Sequence, residues 1–165
     1  MRLKYVLMLI FCMATLVGSA QVQQLKDLEN CINQTATHVS DSLVSKGWKL
    51  DAALTGAAEN DFYRTFSFKT LKTDPTKAQA WLRLHTERTA VNRVYFQAPD
   101  EDSYLLLMKE IEAKKVSNTE PQVVEGQTIT SMLGNDFAYQ LITANGNYTI
   151  VVISKTFFMN HAREQ

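Results

Sequence analysis

The segment FAYQLITANGNYTIVVIS, residues 137–154, decides the fold class of this chain. Two runs rich in apolar and β-branched residues flank the dipeptide Asn145-Gly146, which is typical of a two-residue type I′ turn between antiparallel strands. That turn fixes the register of the hairpin, because Ala144 must then face Asn147. The further pairs that follow are Thr143 with Tyr148, Leu141 with Ile150, and Tyr139 with Val152. The chain is therefore predicted to contain an antiparallel sheet.

The two faces of this hairpin differ in polarity less than those of a half-exposed sheet. One face is strongly apolar, and the other mixes Gln140 and Thr149 with further apolar residues. Those apolar residues are Ala138, Ile142, Val151 and Ile153. The segment Phe157–Met159 could fold back over this second face. A partner chain is the alternative cover, so an oligomer formed through the Phe137–Ser154 hairpin is a second hypothesis.

Residues 48–98 show the alternation of four shorter strands, which suggests an antiparallel meander. The predicted strands are Lys49–Leu54, Phe62–Thr70, Gln79–Glu87 and Val91–Ala98. The predicted links between them are Gly56–Asp61, Thr73–Thr76 and a tight turn near Arg88–Ala90. Side chains two positions apart point to the same face of a strand. The predicted core face is formed by Phe66, Phe68, Leu82, Leu84, Val94 and Phe96.

A helix is predicted before this meander. Apolar residues at helical spacing predict one helix over residues 23–46, or two with a joint near Thr35–Ser40, where Ser40-Asp41 could cap the second piece. Gly47 can take the left-handed conformation that ends a helix, and Trp48 then returns to the core.

A further helix is predicted after Pro99, which ends the fourth strand. Acidic residues at 100–102 lie at its start and lysines lie in its last turns, so the charges match the helix dipole at both ends. Its apolar stripe consists of Tyr104, Leu107, Met108 and Ile111. After Pro121, residues 122–132 predict another strand, broken at Gly126.

Together these elements predict an α+β fold with the order α-ββββ-α-βββ, preceded by a cleaved signal helix. The order is a loose tandem duplication of a helix followed by a meander. The predicted limits are a signal peptide at 1–20, one domain at 21–165 with sub-units 21–98 and 99–156, and a tail at 157–165. The arrangement is similar to the beta-lactamase inhibitor protein fold and resembles small TATA-binding-protein-like and cystatin-like exported domains. The resemblance implies a broad sheet surface presented to a partner, and it assigns no residues.

The N-terminal residues have the three parts of a secretory signal peptide. Arg2 and Lys4 form a basic start, Val6–Val17 is an apolar run, and Gly18–Ala20 supplies small residues at a cleavage site. The apolar run is shorter than the roughly 20 residues that span a bilayer. We therefore predict export to the periplasm or the exterior, cleavage before Gln21 and no stable membrane span afterwards. The junction resembles the leaders of exported proteins of the Bacteroidota.

Cleavage changes both the charge and the cysteine content. The chain has 17 basic and 17 acidic residues, and loss of Arg2 and Lys4 leaves a formal charge of −2. Near-neutrality argues against a nucleic-acid partner, since proteins that bind nucleic acid carry a basic surface. Cleavage also removes Cys12, which leaves Cys31 without an intramolecular disulfide partner. Because Cys31 adjoins Ile32 on an apolar stripe, we expect a buried thiol; an intermolecular disulfide is the alternative.

One group of side chains stands out as a candidate binding surface on the face opposite the predicted core. Alternation places four of them on the third strand, namely Trp81, Arg83, His85 and Glu87. Three more lie on the corresponding face of the neighbouring strands, namely Tyr63, Arg93 and Tyr95. Trp, Tyr and Arg are enriched at interface hot spots. The alternative is an ordinary solvated face whose ion pairs contribute little.

Several chemistries are not supported by the sequence. The histidines His38, His85 and His161 lie in three separate contexts, so neither a metal site nor a cofactor is expected. The chain has no GxSxG nucleophile motif and no glycine-rich phosphate loop. His85 and Glu87 could still act as a base and its orienting acid. Catalytic residues are therefore left unassigned, and a small hydrolase centred on this pair is an alternative.

The leading hypothesis from the sequence is an exported, non-enzymatic interaction module. It would bind a protein or a small envelope ligand through the aromatic and arginine face around Trp81 and Tyr95. The hydrolase and a self-associating envelope protein are the competing hypotheses. The sequence names neither the ligand nor a reaction.

Overall fold

The computed structural model describes residue 22 and residues 24–58, 61–71, 74–87 and 89–161. The predicted leader lies outside these residues. Within them, the chain forms an α+β fold of four helices and nine strands. The helices are α1 (Leu25–Glu29), α2 (Ala36–Ser45), α3 (Glu101–Lys114) and α4 (Lys155–His161). The strands are β1 (Trp48–Ala58), β2 (Asp61–Leu71), β3 (Asp74–Glu87), β4 (Ala90–Gln97), β5 (Ser117–Asn118), β6 (Gln122–Val124), β7 (Gln127–Leu133), β8 (Phe137–Ala144) and β9 (Asn147–Ser154).

The described strands form one antiparallel sheet in the order β1-β2-β3-β4-β9-β8-β7-β5, with β6 also paired to β7. The β8–β9 hairpin has the predicted register, with Ala144 opposite Asn147 and Tyr139 opposite Val152. Asn145 and Gly146 have φ angles of 49° and 77°, as a type I′ turn requires. Because β9 pairs with β4, the hairpin joins the first four strands to the last ones.

Helices α1, α2 and α3 cover one face of the sheet, which we call the inner face. The predicted core face is confirmed, since each of its six side chains is at most 3% exposed. These side chains pack with apolar residues of the three helices, including Leu28, Val39, Leu43, Tyr104, Leu107 and Ile111. The core therefore lies between the helices and the inner face.

The region predicted as one helix or two is two helices, separated by residues 30–35. Thr35 caps α2 by accepting a hydrogen bond from a backbone N–H at 3.3 Å, in place of the expected cap at Ser40-Asp41. The linker is held instead by β4, because the N–H of Asn33 donates to the carbonyl of Val91 at 2.8 Å. This contact joins residues far apart in the sequence, and it positions the break between α1 and α2.

The end of α2 follows the predicted pattern. Gly47 has a φ of 88°, in the left-handed region, and the following Trp48 is 2% exposed. The Trp48 ring packs on Phe68 with their centroids 5.2 Å apart. Trp48 therefore has a structural role in the core.

The segment expected to be one strand broken at Gly126 is a hairpin. Strands β6 and β7 pair with each other across Glu125 and Gly126, whose φ angles are 49° and 77°. Two left-handed residues in succession reverse the chain, and a single strand cannot accommodate them.

The opposite face of the sheet, the outer face, is partly covered by α4. Phe157 and Phe158 pack against a small apolar cluster of Ala138, Val151 and Ile153. The tail thus folds back over the less apolar side of the central hairpin. None of the helices in the described part of the chain has the length and apolar character needed to cross a membrane.

Cys31 is buried, with 8% of its surface exposed, and its thiol donates to the carbonyl of Asp27 at 3.3 Å. Burial raises the pKa of the thiol from 9.0 to about 11. We expect the native protein at pH 8 to react with a thiol reagent about 100-fold more slowly than the unfolded chain, because the thiolate is that much scarcer. Rapid stoichiometric labelling of folded protein would contradict the buried thiol.

The raised pKa of Cys31 makes the free energy of unfolding depend on pH in the alkaline range. A folded-state pKa above the unfolded value adds stability that is fully present below pH 9 and is lost as the pH rises towards 11. The free energy of unfolding should fall by roughly 2 to 3 kcal/mol over this range. Urea unfolding at several pH values measures the change. Cys31→Ala is the control, and its stability should decline less steeply between pH 9 and 10.

Candidate functional site

The outer face of β2, β3 and β4 brings together most of the side chains predicted as a binding surface. Pairing places Tyr63 opposite His85, and His85 opposite Arg93. Arg83 lies opposite Tyr95 in the same way. These five side chains therefore form a contiguous patch across three strands.

An irregularity in the edge strand β1 forms a rim beside this patch. Residues 52–55 have no partner in β2, because pairing passes from Asp51 directly to Gly56. The carboxylate of Asp51 accepts hydrogen bonds from the N–H groups of Ala53 and Leu54, at 3.0 and 3.2 Å. Such a bulge redirects side chains at a strand edge. Leu54, expected at the end of the strand, thus reaches the outer face.

The rim and the sheet enclose a shallow, open cavity of about 590 Å³, which we call the outer-face cavity. Its lining comes from β1, β2, β3, β4 and β9. The lining residues are Leu54, Thr65, Trp81, Arg83, His85, Tyr95, Gln97 and Thr149. Its volume falls within the range of small-molecule sites, and it is open to solvent.

Arg83 is held in place within this cavity. Its Nε donates to Thr65 Oγ1 at 2.9 Å, and Thr65 in turn donates to the carbonyl of Leu54 at 2.5 Å. The guanidinium carbon lies 5.2 Å from the ring centre of Tyr63, a cation–π distance. Among the described residues, the two terminal nitrogens of Arg83 have no hydrogen-bond partner. Within the described part of the chain, Arg83 therefore presents a positioned guanidinium whose two terminal nitrogens are available to a ligand.

His85 is the second polar group of the cavity. Its Nδ1 lies 2.7 Å from Asp61 Oδ2, and its ring packs between Tyr95 and Tyr63, with centroids 4.9 and 5.7 Å away. Burial lowers the pKa of His85 below 6.5, against the opposing effect of the Asp61 carboxylate. The ring is therefore neutral at pH 7, with Nδ1 donating to Asp61 and Nε2 left as an acceptor.

Asp61, and not Glu87, is the carboxylate that orients His85. It also pairs with Arg93, whose Nη2 lies 2.6 Å from Asp61 Oδ2. Glu87 is exposed at the end of β3, opposite Asp61 in the sheet. Arg93 points away from the cavity lining and places its guanidinium 4.8 Å from the ring centre of Phe157 on α4.

Among the described lining side chains, one carries a formal positive charge, that of Arg83. The charge of Arg93 is balanced by Asp61, and His85 is neutral. No group of three His, Cys, Asp or Glu side chains suited to a metal ion occurs among the residues that the structure describes. The cavity offers a cationic and aromatic surface.

Sequence reasoning missed several contributors to the site. Asp61 falls in a predicted loop, although it has the same period-two parity as Tyr63 and Thr65; a predicted strand that begins one residue earlier places it on the outer face. Gln97 has the parity of Tyr95 in the same way. Thr149 could not be found, since it reaches the cavity through the pairing of β9 with β4.

Comparisons with protein-family models, with curated proteins and with solved structures found no match to this chain. The site is therefore interpreted from its own geometry.

Proposed function

We propose that this protein is an exported, non-enzymatic binding module whose ligand occupies the outer-face cavity. The observation that carries the proposal is the fixed Arg83 fork, with no described partner for its terminal nitrogens, beside the aromatic side chains Trp81 and Tyr95. A guanidinium that is already positioned by Thr65 and by the Tyr63 ring can bind a ligand without further ordering, which favours binding. Aromatic residues and arginine also dominate the energy of known interfaces.

Export is part of this proposal and rests on the leader. If residues 1–20 direct secretion, mass spectrometry of the periplasmic or extracellular protein should find a new N-terminus at Gln21. A chain retaining Met1 in the cytoplasmic fraction would contradict it.

The binding function is tested by capture from envelope extract. Immobilised wild-type protein should retain a species that Trp81→Ala/Tyr95→Ala fails to retain, because the aromatic walls of the cavity are removed. The matched control is Leu106→Ala/Val123→Ala, which removes two exposed apolar side chains outside the cavity lining. Circular dichroism checks that both variants fold. Equal retention by all three proteins would exclude the cavity as the binding site.

We also propose that the chain is a tandem repeat of a helix followed by a meander. The strand order supports it, because the last strand of the first unit, β4, pairs antiparallel with the last strand of the second, β9. Helices α2 and α3 lie on the same face of the sheet. A two-fold relation between β4 and β9 would produce this order.

A second candidate function is a hydrolase centred on His85, with Asp61 in place of Glu87 as the orienting acid. The 2.7 Å contact favours it, because a carboxylate on Nδ1 leaves Nε2 as a general base. Ester and amide substrates of varied size would test it. Turnover that is lost in His85→Gln would support the enzyme, and turnover equal in that variant and the wild type would contradict it.

Self-association through the Phe137–Ser154 hairpin is a third proposal. Both long edges of the hairpin pair within the chain, with β4 and β7, so copies would meet through the turn at Asn145–Asn147. Light scattering tests this, since a monomer at high concentration would contradict it.

A further inference from the structure

We infer that the ligand of the outer-face cavity is a small organic monocarboxylate with an aromatic ring, bound through the two terminal nitrogens of Arg83 with its ring packed on Trp81. This inference rests on the binding function proposed above and specifies its ligand class.

The geometry of Arg83 favours a carboxylate. A guanidinium presents parallel N–H donors in a plane, and these match the two oxygens of a carboxylate. The Nε bond to Thr65 and the contact with Tyr63 fix the position of that plane. The donors left for a ligand are the two terminal nitrogens, which can hold one planar anion.

The charge of the cavity favours a monoanion over a phosphate. Arg83 is the one formally charged side chain among the described lining residues, since His85 is neutral at pH 7. A phosphate near neutral pH carries about 1.5 to 2 negative charges. The nearby charge of Arg93 is already compensated by Asp61 at 2.6 Å. A single carboxylate therefore matches the one uncompensated cation among the described lining residues.

The position of Trp81 indicates what the carboxylate is attached to. Trp81 and Arg83 are two residues apart on one strand, so they share a face with a spacing of roughly 6 to 7 Å. Gln97 lies opposite Trp81, and Tyr95 lies opposite Arg83. A ligand whose ring lies a few bonds from its carboxylate can contact both side chains, with these neighbours along its edge.

The test compares two acids with a neutral amide and with inorganic phosphate by isothermal titration calorimetry, using the intact exported protein at pH 7. The probes are 3-phenylpropionate, its neutral amide, N-acetyl-L-phenylalanine as a peptide C-terminus, and inorganic phosphate. We expect the wild type to bind at least one acid about tenfold or more tightly than the amide and to bind phosphate no better than the amide. Tighter binding of 3-phenylpropionate would identify a free acid as the ligand. Tighter binding of N-acetyl-L-phenylalanine would identify a peptide C-terminus.

Substitutions test which side chains produce the preference for the acid over the amide. Arg83→Gln should abolish the preference for the acid, and Arg83→Lys should retain part of it, because an ammonium keeps the charge without the planar fork. Thr65→Val removes the acceptor that positions Arg83 and should weaken binding of the acid several-fold. Arg64→Gln is the matched control, since Arg64 donates to Ser40 at 2.9 Å on the inner face and its loss should leave the preference unchanged.

Two results would overturn the inference. Equal binding of acid and amide, lost in Trp81→Ala, would exclude the carboxylate while leaving the binding function standing. Tighter binding of phosphate than of either acid would replace the proposed ligand class. The binding function itself is judged by capture from envelope extract, so the two failures are distinguishable.

Discussion

Replacing Glu29 by alanine should lower the free energy of unfolding by about 2 to 4 kcal/mol, because it removes the acceptor of a buried polar network. Glu29 is 9% exposed and accepts hydrogen bonds from Lys114 Nζ at 2.8 and 2.7 Å and from the Tyr139 hydroxyl at 2.8 Å. The network ties α1 to α3 and to β8. Burial and the Glu29 carboxylate raise the pKa of the Tyr139 hydroxyl, which is the donor in this contact.

Urea unfolding measures this effect, and a surface ion pair provides the control. Glu112, in the last turn of α3, pairs with Lys115 just beyond the end of the helix, and their side chains are 40% and 32% exposed. Glu112→Ala should therefore cost less than about 1 kcal/mol. Glu29→Gln keeps an acceptor for Tyr139 and should fall between the two variants. A loss for Glu29→Ala no larger than that for Glu112→Ala would show that the network contributes little.

Asp61→Asn should lower the pKa of His85 further and destabilise the fold by about 2 kcal/mol. The carboxylate raises the pKa of His85 through its hydrogen bond and charge, against the effect of burial. It is also the partner of Arg93 at 2.6 Å, and Arg93 is partly buried. NMR titration of the His85 ring and urea unfolding measure the two effects. Glu87→Gln is the matched control and should change neither quantity.

The lowered pKa of His85 also makes the free energy of unfolding depend on pH. A folded-state pKa below the unfolded value of 6.5 gives a contribution that is fully present above pH 6.5 and is lost as the pH falls below it. In Asp61→Asn the folded-state pKa is lower still, so the decline should continue to lower pH. If Glu87→Gln lowered the pKa of His85 and Asp61→Asn did not, Glu87 would be the orienting acid.

The contrast between Asp61 and Glu87 shows which part of the site can be predicted from the sequence. Alternation along β3 placed Trp81, Arg83 and His85 on one face, because side-chain direction in a strand depends only on parity. The acid partner of His85 depends on which strands pair and in which register. That register brings the first residue of β2 opposite the last residue of β3, and the carboxylate of Asp61 reaches His85 from there.

Local chemistry by itself determined the central hairpin, the six-residue core face and the end of α2. The Asn145-Gly146 turn, the alternation of apolar side chains and the left-handed Gly47 each act within a few residues of the chain. Their effects can therefore be read without knowing the rest of the fold.

Tertiary structure alone decided the features that join distant segments. The pairing of β9 with β4 brings Thr149 to the cavity, and the bulge at residues 52–55 positions Leu54 above Thr65. The linker before α2 is likewise set by its contact with Val91. Such contacts form only when segments many residues apart meet in the folded chain, so no local pattern encodes them. The hairpin could therefore be predicted from the sequence, and the complete cavity could not.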